Sequence, residues 1–276
     1  MRNVLAACVI GFAVAMPCGA FGAEQTDYET QLKALHWIQA PASAPIDTKA
    51  HVKLTNGMIA LGSADTDKFL QINGNLPDPN SYLVASPDLR WFAVFSFEDT
   101  GYVKDDEKID ADELLKSLKE QNKAGAEERR KRGLDPLILV GWYVPPHYDT
   151  ESKRLEWGTK LRTSDNQEIV NYSIRILGRR GVMNAILVSD PASLDKDVAE
   201  FHGALRDFSF DSGQKYAEFK DGDKVAEYGL AALVVGGAAA AALKGGAGFF
   251  KLIGIAILGG FAAAWRFIKR LFNKEQ

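Results

Sequence analysis

Asp105 and Asp106, with the trio His147, Tyr148 and Asp149, are the residues of this chain best suited to moving a proton. An imidazole beside a carboxylate exchanges protons near neutral pH. Two carboxylates divide acid and base roles when their surroundings separate their pKa values. A hydrolase of this kind, acting on a glycan or a lipid, needs Asp105, Asp106 and Asp149 to converge near His147 in one cleft. The trio follows a double proline, Pro145 and Pro146, and Trp142 and Tyr143 precede it. Rigid aromatics beside polar tips make a ledge for a ligand; a packed strand followed by a surface turn accounts for the same residues.

A second group is cationic. Arg175, Arg179 and Arg180, with Lys160 and Arg162 on the strand before, suit an anionic lipid head group or a polyanion through charge-assisted hydrogen bonds. The plain alternative is a solvated hairpin end. Trp142, Trp157 and Arg175 also outline a sheet face able to take a lipid or small ligand, given an apolar pocket with a few polar groups.

Other chemistry is missing. The four histidines, His36, His51, His147 and His202, form no metal-binding pair, so no metal site is expected. The acidic run 105–113 lacks the alternating oxygen ligands and central glycine of a calcium loop, and helix capping explains it. There is no nucleophile elbow, phosphate loop or dinucleotide fingerprint, and no cofactor is expected. The chain has 33 basic and 36 acidic residues, a net charge of −3 without the basic excess of a nucleic-acid binder. The balance favours a binding or assembly module over an enzyme.

The elements that must position these groups read as α+β. Tyr28, Leu32, Leu35 and Ile38 have helical spacing, and a linker at 41–45 follows. Residues 51–54 and 58–61 around Asn56 and Gly57 read as a hairpin. Ser63 is placed to cap a brief helix, 73–80 is looped, and 90–97 is an aromatic strand. Asp110 and Glu113 have capping-box spacing at the head of a helix that buries Leu114, Leu115 and Leu118. A strand over 137–144 is expected to stop at the prolines. Strands over 153–163, 168–177 and 182–189 form an antiparallel meander. Val170, Tyr172, Ile174 and Ile176 should face the core, with Asn171, Ser173 and Arg175 on the other side. A helix is expected from Asp190 and Pro191, with Leu194, Val198, Phe201, Leu205 and Phe208 in one apolar stripe. Helices therefore cover an antiparallel sheet.

The two ends carry a different message. Arg2, an apolar run at 4–16 and small residues near 18–23 make a secretory signal peptide over 1–22, cleaved after Ala20 or Gly22. Cys8 and Cys18, the only cysteines, lie inside it, which leaves no thiol for catalysis, metal binding or a disulfide. At the other end, 228–265 is almost entirely apolar and precedes Arg266, Lys269, Arg270 and Lys274. The tail reads as a transmembrane helix or a helical hairpin. One span near 248–268, with 228–243 packed beside it or half inserted, puts those cations in the cytoplasm, as the positive-inside rule requires; two spans return them to the outer side. A buried Ala-rich hairpin is the plain alternative. The expected plan is a signal peptide at 1–22, an amphipathic helix and linker at 23–45, an extracytoplasmic domain at 46–224 and a membrane anchor at 225–276.

Several segments together resemble a family of bacterial membrane-anchored proteins, the domain of unknown function 2167. They are Gly101 to Asp106; Asn122, Arg129 and Gly133; Gly141 and Trp142; and Pro146 to Asp149. Further on they are Leu155 to Trp157, Val170 to Tyr172, Arg175 to Gly181, Tyr216 with Phe219, and Asp223 to Gly229. The resemblance implies an exported domain tethered to a membrane and implies no activity. The meander closed by a helix and Phe208 to Phe210 also resembles the Mog1/PsbP-type α/β/α sandwich. Tyr102 and Asn171 join the candidate binding residues through these motifs. The expectation is therefore an inner-membrane protein whose body lies on the periplasmic side. Its expected role is sensing, scaffolding or assembly, with the bilayer and another envelope protein as partners.

Overall fold

The computed structural model describes residues 28, 30–73, 78–131 and 136–236. The chain divides into two units, 1–34 and 35–276. In the first, residues 28 and 30–33 are helical. Ile38, expected on that helix, instead lies in a strand of the second unit.

Eleven strands are described in two antiparallel sheets. The larger has eight: β1 (Ile38–Gln39), β4 (Ile59–Leu61), β5 (Ser81–Ala85), β6 (Trp91–Glu98), β10 (Val182–Ser189), β9 (Glu168–Leu177), β8 (Arg154–Arg162) and β7 (Ile138–Asp149), in that spatial order. The smaller is β11 (Phe208–Phe210), β3 (Ala50–Leu54) and β2 (Ala42–Ile46). The helices are α1 (Ser63–Ile72), α2 (Ala111–Lys131), α3 (Leu194–Arg206) and α4 (Leu230–Val235). Strand alternation directs Tyr172, Ile174 and Ile176 of β9 into one core with Met183, Ala185 and Leu187 of β10. The small sheet and α3 close this first face, where Phe201 meets Trp91 and Phe95 at ring centroids of 5.8 and 6.1 Å. On the second face α1 sets Phe69 edge-on to Phe92, and α2 and α4 cover Leu155, Trp157, Leu177 and Val182.

Tertiary pairing overrides several local expectations. The segment 41–45 is strand, not linker, because β2 pairs with β3. Asn56 and Gly57 do turn the chain, with φ of 51° and 76°. The strands they join are no hairpin: β3 enters the small sheet and β4 the large one. β7 runs past Pro145 and Pro146 to Asp149, with register shifts between Leu139 and Gly141, Trp142 and Val144, and Val144 and His147. It lies at the end of the sheet, where the missing N–H donors interrupt pairing with β8 alone, at the shift between Val144 and His147. Ser63 does not cap α1; its hydroxyl donates to the Pro79 carbonyl. Asp110 does cap α2, accepting from the Asp112 and Glu113 amides at 3.1 and 3.0 Å. α3 starts at Leu194, four residues past Asp190, because Asp190 first closes a turn onto Ala192 and Ser193.

Leu230, Leu233 and Val234, which open the apolar tail in the sequence, are buried against Trp157 and Val103. No helix among the described residues is long and apolar enough to cross a membrane. The signal peptide and the span near 248–268 lie outside the described residues.

Candidate functional site

After β11 the chain crosses the second face as a strap, residues 211–229, held by ties from the segments singled out in the sequence. The Arg179 amide donates to the Gln214 carbonyl at 2.8 Å. Its guanidinium forks onto Asp223, Nε to Oδ2 at 2.6 Å and Nη2 to Oδ1 at 2.8 Å. Those bonds hold the Asp223 carboxyl down at about 2, from an ordinary 3.8. Tyr102 and Val225 form a parallel bridge. In it the Tyr102 amide donates to Lys224 O at 2.8 Å and the Ala226 amide to Tyr102 O at 2.9 Å. Gly101 makes this approach possible: its φ is +92° and a Cβ there would stand 2.8 Å from Lys224 O. At the end of the strap Glu107 accepts the Ala231 amide at 2.9 Å, an acid at the head of α4.

A second knot lies beside it. Asp105 Oδ2 accepts Tyr148 Oη at 2.9 Å and Lys153 Nζ at 2.8 Å. Burial works to raise the Asp105 carboxyl, and the bonds from Lys153 and Tyr148 outweigh it and hold it below its ordinary value. Burial and Asp105 together raise the Tyr148 phenol. Lys153 Nζ also sits 4.9 Å from the centre of the Tyr216 ring, and Tyr216 donates to Val103 O at 3.0 Å. Tyr102 stacks on Tyr216 at 4.4 Å and meets Phe219 at 4.3 Å.

The acid–base cleft does not form. Asp105 is occupied by Lys153 and Tyr148, and Asp106 is exposed. Asp149 is exposed and accepts the Glu151 amide and the Ser152 hydroxyl, both at 2.8 Å, in the β7–β8 turn. His147 is exposed, with Nδ1 3.5 Å from the Pro145 carbonyl, and stands opposite Glu156 of β8. Successive residues of a strand point to opposite faces, so His147 turns away from the side where Tyr148 reaches Asp105. The cationic group also separates. Arg179 is buried on Asp223, and Arg180 is exposed while its carbonyl accepts the Gly101 amide. Arg175 lies over Trp157, 4.9 Å from the ring centre. Trp142 donates to Ala111 O at 3.0 Å and so fixes the head of α2 to β7. Asn171 lines a depression of about 10 Å³ beside Ile169 and Ser189, room for one water at most. Tyr102, Asp105, Tyr148 and Arg179 therefore share the strap surface; His147, Asp149 and Asp106 do not.

One cluster escaped the sequence reading. Under α3, Glu156 accepts Tyr172 Oη at 2.8 Å and pairs with His202 Nε2 at 2.7 Å, with Tyr172 and His202 3.3 Å apart. Burial pushes the Glu156 carboxyl up, and the His202 and Tyr172 contacts bring it below its ordinary value. The signal was present: Glu156 sits mid-strand between Leu155 and Trp157, and all three are buried. An acid there needs partners. Next to it the Tyr143 phenol, raised to about 12 by burial and by Asp195, donates to that carboxylate. No group of three or more metal-ligating side chains occurs among the described residues.

Comparison with known proteins adds three findings. No curated protein matches the chain. The solution structure of cyanobacterial PsbP (CyanoP) from Synechocystis sp. PCC 6803 is similar over 63% of this chain and 92% of its own, at 11% identity and a TM-score of 0.36. The model of a family described as a protein of unknown function, DUF2167, matches residues 25–268. With nearly the whole length matched, strap and sheet included, the chain belongs to the DUF2167 family.

Proposed function

We propose that this protein is a membrane-anchored module of the bacterial envelope that binds or assembles with a partner and catalyses nothing. The strap carries the reading. It is tied to the body at Arg179–Asp223, Tyr102–Val225 and Glu107–Ala231, and α4 then ends at Val235, where the apolar tail of the sequence continues. These ties fix the place on the body from which the chain leaves at Val235. The sequence supplies the rest: a leader at 1–22, a span near 248–268 and a basic end that belongs in the cytoplasm. In this arrangement the body stands on the periplasmic side of the inner membrane. Its partners are the bilayer and another envelope protein, and the segments shared with the family serve as joints.

The test uses the full chain in bacterial cells with a tag after Gln276. Alkaline extraction should leave it in the membrane pellet. Protease added to spheroplasts should digest the body and spare the tag. Release of intact protein by salt alone, or a body protected in spheroplasts, overturns the anchoring. Mild crosslinking should capture one recurrent envelope protein, and its absence across repeated captures overturns the assembly role.

A further inference from the structure

Three elements bring His147, Glu156 and His202 together on the first face of the large sheet. Glu156 lies mid-strand in β8, and His147 of β7 stands directly opposite it, so both side chains leave the same face. Cβ atoms so placed are about 4.5–5.5 Å apart. α3 brings His202 over the pair, with Nε2 2.7 Å from Glu156 Oε2. From β9, Tyr172 Oη donates to the same oxygen at 2.8 Å. Glu156 is 7% exposed, yet its second oxygen, Oε1, is not sealed: it accepts no bond among the described residues and reaches solvent. The His202 side chain is 38% exposed, and both its contacts use Nε2. Burial raises the Glu156 carboxyl, His202 and Tyr172 lower it, and His147 is near enough to add to the lowering. The exposed His147 ring is held by nothing stronger than its 3.5 Å contact with the Pro145 carbonyl. Arg154, two residues before Glu156 on the same face, is turned to the Leu205 carbonyl and forms no ion pair with the carboxylate.

Two imidazoles and a carboxylate carried by strands and a helix are a donor set for a borderline divalent ion. We propose that Glu156, His202 and His147 bind a divalent transition metal of the zinc class and so clip the β7–β8 hairpin to α3. In the described conformation the three do not meet at one point, and His147 completes the set by swinging about χ1. The other two need little change. Neighbouring ligand atoms of a tetrahedral ion stand about 3.3 Å apart when each bond is about 2.0 Å. His202 Nε2 and Glu156 Oε2 are already 2.7 Å apart. Glu156 is ionised, so Nε2 carries the hydrogen of that pair. On binding, the metal takes the Nε2 lone pair and the ring keeps its hydrogen on Nδ1. Tyr172 stays on Glu156 and orients it. The fourth position is left to water. The ion replaces a hydrogen bond at the surface, so it needs no cavity. The site stands apart from the anchoring proposal, since it needs only the folded body.

The test uses the full chain with Cys8→Ser and Cys18→Ser, so that no thiol takes part, purified in detergent without a histidine tag and stripped with a chelator. Co2+ should give the intense visible bands of a four- or five-coordinate ion at one equivalent, and one equivalent of Zn2+ should erase them. Calorimetry should give a Zn2+ dissociation constant of about 10 µM or tighter. His147→Ala, at an exposed position, should fold normally and weaken Zn2+ binding at least about tenfold, because one of three ligands is gone. His202→Ala should weaken it as much. Tyr172→Phe keeps every ligand, loses the bond that orients Glu156 and should cost about tenfold. His51→Ala removes an imidazole paired with Asp211 on the small sheet and should change nothing. Metal held equally by the wild type and His147→Ala is adventitious and overturns the proposal. Zn2+ binding weaker than about 10 µM, a Co2+ spectrum of six-coordinate ions alone, or equal loss in His51→Ala overturns it too.

Discussion

The two faces of the large sheet are built on different physics. Over the first, α3 and the small sheet bury Phe201, Trp91, Phe95 and Leu54 almost completely, and the polar groups there, Glu156–Tyr172–His202 and the buried Asp197 with Arg90, Ser189 and Ser193, find their partners within the face. Over the second, the strap lies in an open path and is held by discrete bonds: the fork of Arg179 on Asp223, the knot at Asp105 and the bridge at Tyr102. Apolar area is non-directional and adds up over a whole interface. Ionic and backbone ties act one at a time, depend on geometry and respond to pH. A cooperative core and a detachable strap are the expected result, since segments with few buried apolar contacts open at lower free energy than core strands.

The sharpest test of this contrast is to damage each side. Phe201→Ala removes a fully buried ring from the first face and should cost about 3–5 kcal/mol of global stability in chemical denaturation. A cost confined to the strap would break the comparison. Glu156→Gln is the next in size. It keeps the shape, removes the charge that His202 and Tyr172 face, and should cost about 1–3 kcal/mol. Replacing Glu156, Tyr172 and His202 together by apolar residues of similar volume should recover most of that loss, because a buried ionic cluster is weak evidence of net stabilisation. If the triple replacement is as unstable as the single one, the cluster acts as more than a filler of polar space.

On the second face, Gly101→Ala places a methyl group where a φ of +92° already disfavours it and where Lys224 O is 2.8 Å away. The expected cost is about 1–3 kcal/mol, concentrated in the strap. Hydrogen exchange should show the amides of Tyr102 and Ala226 losing protection while those of β9 and β10 keep theirs. Equal loss in all four places would mean that strap and sheet unfold as one unit.

How much of this was legible in the sequence divides along the same line. The β8–β9–β10 meander, the apolar side of β9 and the capped start of α2 follow from period and capping chemistry, which are local. The failures were mostly non-local; the late start of α3, delayed by the Asp190 turn, is a local one. Asn56 and Gly57 fix a turn and cannot fix which sheet each flanking strand joins. Pro145 and Pro146 stop an interior strand and are harmless on β7, whose edge position no local pattern reveals. For the site, residue type is legible in the sequence and pairing is not. Arg179, Asp105 and Tyr148 looked like groups awaiting a ligand. Their partners, Asp223, Lys153 and Asp105 itself, lie between 43 and 48 residues away in sequence. A charge with a distant ion-pair partner and a charge with none among the described residues look alike until the chain is folded, as Arg179 and Arg175 show four residues apart.

The smallest effect is the most diagnostic, because it acts on one bond of the strap without touching packing. The Asp223 carboxyl is held at about 2 in the folded chain against an ordinary 3.8. A carboxylate with a depressed folded pKa contributes stability that is fully present above the ordinary value and lost as pH falls through the folded one. The strap should therefore keep its protection down to about pH 4 and lose it progressively towards about pH 2, with Asp105, also held low, failing in the same direction. The Phe201 core also carries carboxylates held low, Glu156 and Glu200, but it rests mainly on buried apolar area and should keep its exchange protection further into acid than the strap. Protection factors corrected for intrinsic exchange, measured from pH 5 to pH 2 at Tyr216, Ala226 and Ile174, separate the two faces in one experiment. Arg179→Gln supplies the control. It removes the cause of the depressed pKa, so the strap should already be loose at neutral pH and its acid step should shrink. If the wild-type strap opens together with Ile174 at every pH, strap and core are one cooperative unit, and the strap is not a separately held joint.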